Sequence, residues 1–290
     1  MTQERILVLG GKTGLLGQAL VRYPGWEQGS AIETLGRDNG DITDERFLAK
    51  ALHAFEPTLV INTIAWTQVD DAEDHPEEAK AINVDFPAML ATILAKTSCH
   101  LLHISTDFVF GQGGDTPYTE EDMPHPASVY GKTKYVGEGL VLEKLPGQST
   151  VVRTAWLFGP FKKNFVATIL AHAKHKPTLR VVCDQVGSPS YTVDVARFIA
   201  ELGKQRASGL WHAVNSGSAS WYALAKQAVA LAHLPCDIEP IPSDQWPQKA
   251  TRPSYSVLSN HKLEQFLHAP IRCWEEALAS YGSTAGQGGL

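Results

Sequence analysis

The feature that most constrains the fold is an apolar run that passes directly into a glycine-rich turn and then a helical pattern. The run is Arg5–Gly10, and the turn Gly11–Gly17 has glycine at every third position. Glycine permits a sharp turn and a close backbone approach to a phosphate, and the helix that follows offers free N–H groups to an anion. These residues predict the first strand, turn and helix of a parallel sheet that binds a dinucleotide.

The rest of the first two thirds of the chain alternates apolar runs with amphipathic patterns, which is typical of a parallel sheet wrapped by helices. Further strands are predicted over Ala31–Leu35, Thr58–Ile61, Cys99–Ser105 and Thr150–Trp156. Helices are predicted from a Thr43 cap, from Pro76, and over Ser128–Lys144. The fold class is therefore α/β, with a Rossmann-type doubly wound parallel sheet.

After Gly159 the alternation of apolar runs with amphipathic patterns becomes less regular. This change predicts a smaller α/β substrate-binding lobe. We assign residues 1–158 to the dinucleotide-binding domain, with 187–215 returning to it, and residues 159–186 and 216–282 to the lobe. The chain beyond Leu234 is rich in proline and reads as loops, which often close over a ligand. The small, glycine-rich residues of Gly282–Leu290 predict a disordered tail, flexible over 283–290.

Composition excludes several functional classes. A formal net charge of −6 argues against a nucleic-acid surface, which needs clustered Lys and Arg. The 4 cysteines lack metal-ligand or CxxC spacing, and the 11 histidines form no metal motif. There is no basic-then-apolar leader, and no apolar run nears the roughly 20 residues that span a bilayer. We expect a soluble, cytoplasmic protein with reduced thiols and no metal.

A tyrosine and a lysine four residues apart form the main catalytic candidate. Tyr130 and Lys134 lie on one face of the predicted helix Ser128–Lys144. Because tyrosine has an ordinary pKa of about 10, we expect the lysine ammonium and a cationic nicotinamide to lower it. Thr106 ends a predicted strand, so its hydroxyl is expected to meet a substrate oxygen at the same edge of the sheet.

Two other strand ends are expected to line the same crevice. The segment Asn62–Ala65 closes the third strand, and Arg37 follows the second, where such folds meet the adenine ribose. An arginine there suits a 2′-phosphate, which favours NADPH over NADH as the cofactor, with NADH possible. The spacing around Lys12 does not fit a nucleoside-triphosphate loop, and no GxSxG motif suggests a hydrolase.

Taken together, the motifs resemble those of the dTDP-4-dehydrorhamnose reductases, a branch of the extended short-chain dehydrogenases. The resemblance covers roughly residues 4 to 280. It is carried by GKTGLLG at Gly11–Gly17, Gly40-Asp41-Ile42, WTQVDDAE at Trp66–Glu73, STDFVFG at Ser105–Gly111, VYGKTK at Val129–Lys134, RTAWLFG at Arg153–Gly159, DQVGSPSYT at Asp184–Thr192 and RPSYSVL at Arg252–Leu258.

The resemblance implies NADPH-dependent reduction of the 4-keto group of a dTDP-linked deoxy-keto-sugar, giving dTDP-L-rhamnose for polysaccharide biosynthesis. It implies a catalytic set of Thr106, Tyr130 and Lys134. The implied cofactor-binding residues are Gly11, Gly14, Leu15, Leu16, Gly17, Arg37, Asp41, Ile42, Ala65, Trp66, Thr67, Tyr130 and Lys134. The implied substrate-binding residues are Thr106, Asp107, Trp156 and Arg252, the last as a partner of the diphosphate.

Some positions depart from the family pattern. Many relatives have histidine where this chain has Trp66, and some dual-cofactor relatives have an acid at Gly36. Members with a magnesium-bridged dimer have acidic residues at Ala19 and Val193. We therefore expect no tightly held structural metal and a monomer or weak homodimer.

Three alternatives stay open at this point. A sugar-nucleotide dehydratase or epimerase shares the glycine turn and the Tyr–Lys pair, but the dehydratases follow Thr-Asp with glutamate, where this chain has Phe108. A related reductase could act on another deoxy-keto-sugar. A non-catalytic subunit resembling the regulatory subunit of methionine adenosyltransferase keeps a YGKTK segment, although Trp156 and the DQVGSP stretch look like features of a substrate pocket.

Overall fold

The computed structural model describes residues 4–285. Its strands are β1 Arg5–Leu9, β2 Ala31–Leu35, β3 Leu59–Asn62, β4 His100–Thr106, β5 Ser149–Thr154, β6 Leu157–Phe158, β7 Thr178–Val182, β8 Val186–Gly187, β9 Ser190–Tyr191, β10 Gly209–His212, β11 Ala219–Ser220 and β12 Asp237–Ile241. Its helices are α1 Leu15–Val21, α2 Glu45–Phe55, α3 Val69–Ala72, α4 Pro76–Lys80, α5 Phe86–Leu94, α6 Val129–Lys144, α7 Phe165–Ala173, α8 Thr192–Lys204, α9 Trp221–Leu231, α10 His261–Leu267 and α11 Trp274–Ala285.

Six strands form the main sheet, in the order β10-β5-β4-β3-β1-β2. All five pairings are parallel. The strand order reverses beside β1, because β2 lies on one side of it and β3 on the other. A ligand crevice forms outside the carboxyl ends of the strands at such a switch point. The predicted doubly wound fold is confirmed.

Alternate side chains of the strands bury two separate apolar layers. From β1, Ile6 and Val8 pack with α1 and α8 on one face, and Leu7 and Leu9 pack with α2, α5 and α6 on the other. All four of these side chains are buried. Because both faces are covered, the strands read as continuous apolar runs rather than as alternating patterns.

Several elements of the second half of the chain form a smaller group beside the carboxyl ends of the sheet. Strands β7 and β12 pair in parallel, and α7 and α9 pack against them. A second apolar cluster joins α9 and α11 with Phe158 and Tyr191. Strand β10 and helix α8 belong instead to the main sheet and its first apolar layer.

Three local predictions are wrong. The cap of α2 is Asp44 rather than Thr43, because the Asp44 carboxylate accepts the N–H groups of Arg46 and Phe47. The proline-rich segment after Leu234 contains β12, α10 and α11, whose partners lie far away in the chain. The predicted tail begins inside α11, which runs to Ala285, and residues 286–290 lie outside the described part.

The long helix predicted from Pro76 begins at that residue but is interrupted by a π-helical turn, Ala81–Asp85. The extra residue in this turn changes which side chains face inward. Asn83 is fully buried, whereas its apolar neighbour Ile82 is only partly buried. A π turn of this kind is frequent at functional sites.

Candidate active site

A cleft of about 1010 Å³ lies at the carboxyl ends of the strands. Its lining includes residues that follow β1 and β3 and residues that end β4 and β5. Of the predicted site residues, it is lined by Gly14, Leu15, Leu16, Gly17, Arg37, Ile42, Ala65, Thr67, Thr106, Asp107, Tyr130, Trp156 and Arg252. The fold thus brings most of the predicted site into one cleft, whereas Gly11, Asp41, Trp66 and Lys134 do not line it.

The glycine turn is shaped by close backbone contacts. Gly10 has a φ of 79°, which favours glycine, and its carbonyl accepts the Gly14 N–H at 2.9 Å. A Cβ at Gly17 would lie 2.6 Å from the Gly10 carbonyl oxygen, so a larger residue would push α1 away from the turn. Gly11 is buried against Thr34 and Val21, which explains why it packs beneath the turn and does not line the cleft.

The end of the cleft near β2 has a basic side chain on its wall. Arg37 is exposed and lines the cleft, while its neighbour Asp38 is bound by Lys12 at 2.6 Å. This bond holds the pKa of Asp38 below its usual range. Asp41 turns away to accept the N–H and hydroxyl of Thr43, which explains its absence from the lining.

The segment after β3 is held by the buried side chain of Asn83. Asn83 Oδ1 accepts the Trp66 N–H at 2.9 Å, and its amide group donates to the Trp66 carbonyl and to Thr133. Ala65 and Thr67 therefore face the cleft, while the Trp66 ring packs with Ala72, Ala79 and Tyr130. Sequence reasoning missed Asn83, because only the π turn brings it inward.

Thr106, Asp107 and Tyr130 form the polar centre of the cleft. The Thr106 hydroxyl donates to Asp107 Oδ1 at 3.1 Å, and Ser256 donates to Asp107 Oδ2 at 2.6 Å. Asp107 is only 2% exposed, and this burial raises its pKa to about 6. The Tyr130 ring contacts Phe108 edge-on at 5.5 Å. Ser256 comes from the far C-terminal region, so no local pattern marked it.

Burial dominates the acid–base properties of Tyr130 and Lys134 in this structure. Burial raises the pKa of Tyr130 to about 12, although a hydrogen bond with Thr106 lowers it. Burial lowers the pKa of Lys134 to about 8. Lys134 therefore loses its proton before Tyr130 does, and in this structure it does not make the phenolate accessible at neutral pH. Tyr130 is instead a protonated phenol, the form that can donate a proton.

Lys134 lies beneath the cleft, 1% exposed. Its ammonium nitrogen donates to the carbonyl of Ile104 at 2.6 Å, which places it under the end of β4. The helix that carries both residues begins at Ser128, whose hydroxyl accepts the Gly131 N–H. This cap fixes the first turn of α6, where Tyr130 lies.

The opposite wall of the cleft is a pair of stacked indoles. The rings of Trp156 and Trp221 lie 3.5 Å apart and nearly parallel, at 4°. Trp156 has a φ of 44°, and a Cβ at Gly187 would lie 2.4 Å from its ring. The absence of a side chain at Gly187 therefore leaves room for the Trp156 ring. Trp221 was not predicted, since it lies in a segment that ordinary helical packing would explain.

Arg252 is held by a carboxylate in this structure. Its guanidinium donates to Asp70 Oδ1 at 2.8 Å and to Oδ2 at 2.7 Å, and Asp70 also accepts the Ala250 N–H. The hydrogen bond from Arg252 lowers the pKa of Asp70 to about 2. Arg252 still lines the cleft, with Lys162 and Lys163 on its wall.

Two negative findings apply to residues 4–285. None of the helices described there is long and apolar enough to cross a membrane. No group of three or more metal-ligating side chains occurs within the same range. Ala19 is buried in the core, and Val193 is partly exposed.

A parallel sheet that places a glycine turn and a Tyr–Lys helix around one cleft defines a Rossmann-type protein of the short-chain dehydrogenase class. Residues 4–285 match the family described as the RmlD substrate binding domain. The chain belongs to this family, and the resemblance predicted from its motifs is confirmed.

Individual relatives agree with this assignment. The chain is 38% identical over 286 residues to the dTDP-4-dehydrorhamnose reductase of Streptomyces griseus, with 96% of this chain and 94% of that protein aligned. It is 36% identical over 277 residues to the dTDP-4-keto-6-deoxy-D-glucose reductase of Streptomyces niveus, with 95% of each aligned. The solved structure of dTDP-4-dehydrorhamnose reductase from Bacillus anthracis in complex with NADP is similar, with a TM-score of 0.93, 30% identity and coverage of 98% and 100%.

Proposed function

We propose that this protein reduces the 4-keto group of a dTDP-linked deoxy-keto-sugar with NADPH, and that its substrate is dTDP-4-dehydrorhamnose. The observation that carries the proposal is that the glycine turn, Thr106 and Tyr130 line a single cleft. Relatives that align over nearly the whole chain bear the name of this reductase. A similar solved structure contains NADP.

The residues of the cleft fit a dinucleotide. The backbone of Gly14, Leu15 and Leu16 would face the diphosphate, and Arg37 would bind a 2′-phosphate. Ala65 and Thr67 would lie beside the nicotinamide half. When bound, NADPH supplies the hydride.

The chain supplies the proton and the charge stabilisation. The substrate carbon gains the hydride, and its carbonyl oxygen takes the phenolic proton of Tyr130 to become a hydroxyl. Thr106 lies beside the phenol, and by turning its hydroxyl proton from Asp107 to the substrate oxygen it would stabilise the charge that develops there. A pKa of about 12 keeps Tyr130 protonated at neutral pH, as a proton donor requires.

The substrate would occupy the rest of the cleft. Asp107 and Ser256 would meet the hydroxyls of the sugar, and the stacked indoles would cover its apolar face. Arg252, Lys162 and Lys163 line this part of the cleft, so they supply positive charge for a diphosphate. Phe108 stands where a dehydratase needs an acid, which favours reduction over the elimination of water.

The substrate is tested by incubating the protein with NADPH and dTDP-4-dehydrorhamnose, following cofactor oxidation and identifying the product sugar. We expect NADP and dTDP-L-rhamnose. A parallel reaction with dTDP-4-keto-6-deoxy-D-glucose tests the alternative that is favoured by the relative from Streptomyces niveus. Oxidation with only the second sugar would move the assignment to that reductase, and no oxidation with either would favour a regulatory subunit.

Cofactor preference is tested at Arg37. We expect Arg37→Ala to weaken NADPH binding about tenfold or more while leaving NADH binding nearly unchanged, because only NADPH has a 2′-phosphate. Binding is measured by fluorescence titration of each cofactor. Arg46→Ala, an exposed arginine on α2, is the control. Equal losses for both cofactors would contradict the proposed contact.

We also propose a cytoplasmic monomer or weak homodimer, with the domain boundaries predicted above and no structural metal. Cys99, Cys183, Cys236 and Cys273 are free thiols, as expected in a reducing compartment. Sedimentation at several concentrations, with and without magnesium, tests the oligomeric state. A tight dimer that forms only with magnesium would contradict this part of the proposal.

A further inference from the structure

A chain of three buried polar side chains leads from β3 to Lys134. Asn62 and His103 are both 0% exposed, and Lys134 is 1% exposed. Asn62 Nδ2 lies 3.1 Å from His103 Nδ1, and His103 Nε2 lies 3.4 Å from Lys134 Nζ. Lys134 Nζ also donates to the Ile104 carbonyl. The proposed reaction does not use either Asn62 or His103.

The hydrogen bonds determine which nitrogen of His103 carries the proton. The backbone N–H of Ile64 can only donate, and it points at Asn62 Oδ1 at 3.0 Å. The other end of the Asn62 side chain is therefore its NH₂ group, which donates to His103 Nδ1. A neutral imidazole with an acceptor at Nδ1 carries its proton on Nε2. That N–H faces the Lys134 nitrogen.

We propose that Asn62 and His103 are positioning residues for Lys134: Asn62 fixes the imidazole as its Nε2–H tautomer, and this N–H favours the amine of Lys134 over the ammonium ion. An ammonium ion can only donate, so it would oppose the N–H of His103, whereas an amine can accept from it. The inference rests on the proposed reductase function, with Lys134 as the partner of Tyr130 in the catalytic set.

Other ionisable groups around Lys134 do not cancel the effect of the His103 N–H on the protonation of Lys134. Glu138, one turn further along α6, raises the pKa of Lys134, but its carboxylate is already bound by Arg153 of β5. Burial is the largest influence on the pKa of both Lys134 and His103, and it lowers both. Asp107 lies beyond the end of β4 and is bonded to Thr106 and Ser256. Glu73, directly after α3, accepts the Val129 N–H.

A Lys134 ammonium ion that loses its proton easily can reprotonate Tyr130 in the proposed reaction. Tyr130 becomes a phenolate when it gives its proton to the substrate oxygen, and it must regain a proton before the next turnover. Lys134 lies one helical turn from Tyr130, and an ammonium ion that is poorly satisfied gives up its proton readily. After the transfer, Lys134 is an amine that accepts a hydrogen bond from His103, and solvent protons restore the ammonium ion.

The inference is tested by NMR on the protein without cofactor or substrate. Nitrogen spectra of histidine report which ring nitrogen of His103 carries the proton, and we expect Nε2. With lysine labelled at Cε, the Cε signal of Lys134 reports its titration. This signal is assigned to Lys134 because it disappears in Lys134→Met. In the unaltered protein we expect the titration near the pKa of about 8. In His103→Gln we expect it about one pH unit higher, because a glutamine oxygen can accept from the ammonium ion.

The matched control is His100→Gln, which alters another buried histidine of β4 that contacts Thr150 rather than Lys134. It should leave the Lys134 titration unchanged. The pH profile of kcat for keto-sugar reduction should move with the Lys134 titration in His103→Gln. A proton on His103 Nδ1 in the unaltered protein would overturn the inference, even if no variant folds. An unchanged Lys134 titration in His103→Gln would also overturn it. If the His103 and Lys134 spectra are as predicted but the protein does not reduce a keto-sugar, only the proposed function is contradicted.

Discussion

At the scale of single residues, Asp107 shows how the site trades stability for function. Its carboxylate is buried, with hydrogen bonds from the hydroxyl groups of Thr106 and Ser256. Burial therefore raises its pKa to about 6, against an ordinary value near 4. Above pH 6 the folded chain must bury a charge that the unfolded chain exposes to water. The charged group costs stability there, and that cost disappears below pH 4.

Asp107→Asn should consequently stabilise the fold at pH 8 by up to about 3 kcal/mol and have little effect near pH 4. The amide removes the buried charge and can still bond both hydroxyls. Urea unfolding at the two pH values measures the difference. Asp115→Asn, on an exposed loop, is the control and should be neutral at both. A loss of stability at pH 8 would show that the carboxylate is better solvated than the structure indicates.

Among elements, α6 has the largest role in positioning, because it carries Tyr130 and Lys134. A buried ion pair holds it to the sheet: Arg153 Nε lies 3.0 Å from Glu138 Oε1, and Nη2 lies 2.8 Å from Oε2. Both side chains are almost fully buried. The ion pair therefore joins the catalytic helix to β5 from within the core.

Glu138→Leu should destabilise the protein by about 3–5 kcal/mol, because it leaves the Arg153 guanidinium buried without a partner. The double variant Glu138→Leu/Arg153→Met should recover most of that loss, since it removes both charges. Urea unfolding of the parent, both single variants and the double variant completes the cycle. A single variant as stable as the parent would mean that water reaches Arg153.

Among the elements, those defined by contacts between residues close in sequence were predicted well, and those defined by distant contacts were missed. Local signals predicted β2 to the residue and the start of α4 at Pro76, because side-chain periodicity and helix-start residues act over a few residues. Strand β12 was missed, since it pairs with the distant strand β7 and contains Pro240. The π turn was missed because helical periodicity carries no mark of an inserted residue.

At the scale of the whole molecule, the cleft is closed by contacts between distant parts of the chain. Asp70 of α3 binds Arg252, Asp74 binds Lys249, and Ser256 binds Asp107. These contacts place the C-terminal segment over the end of the sheet. The residues that sequence reasoning missed, Ser256 and Trp221 among them, reach the site through such long-range packing. The predicted residues mostly lie at strand ends or on α6, where local patterns place them.

Arg252→Ala tests whether this segment contributes to nucleotide recognition. We expect it to weaken dTDP binding at least tenfold, about 1.4 kcal/mol, because a guanidinium is lost from the cleft. Isothermal titration calorimetry with dTDP gives the affinity. Arg180→Ala is a suitable control, since that arginine is exposed and bonds Gln245 rather than facing the cleft. Unchanged affinity in Arg252→Ala would confine Arg252 to its ion pair with Asp70.

The central claim, that the molecule is a reductase with Tyr130 as its proton donor, is tested most directly by one comparison. NADPH oxidation with dTDP-4-dehydrorhamnose is measured for the parent and for Tyr130→Phe, with NADPH binding measured for both. We predict rapid oxidation by the parent, and a rate at least about 100-fold lower in Tyr130→Phe with cofactor binding retained. Oxidation at the same rate in both proteins would contradict the account.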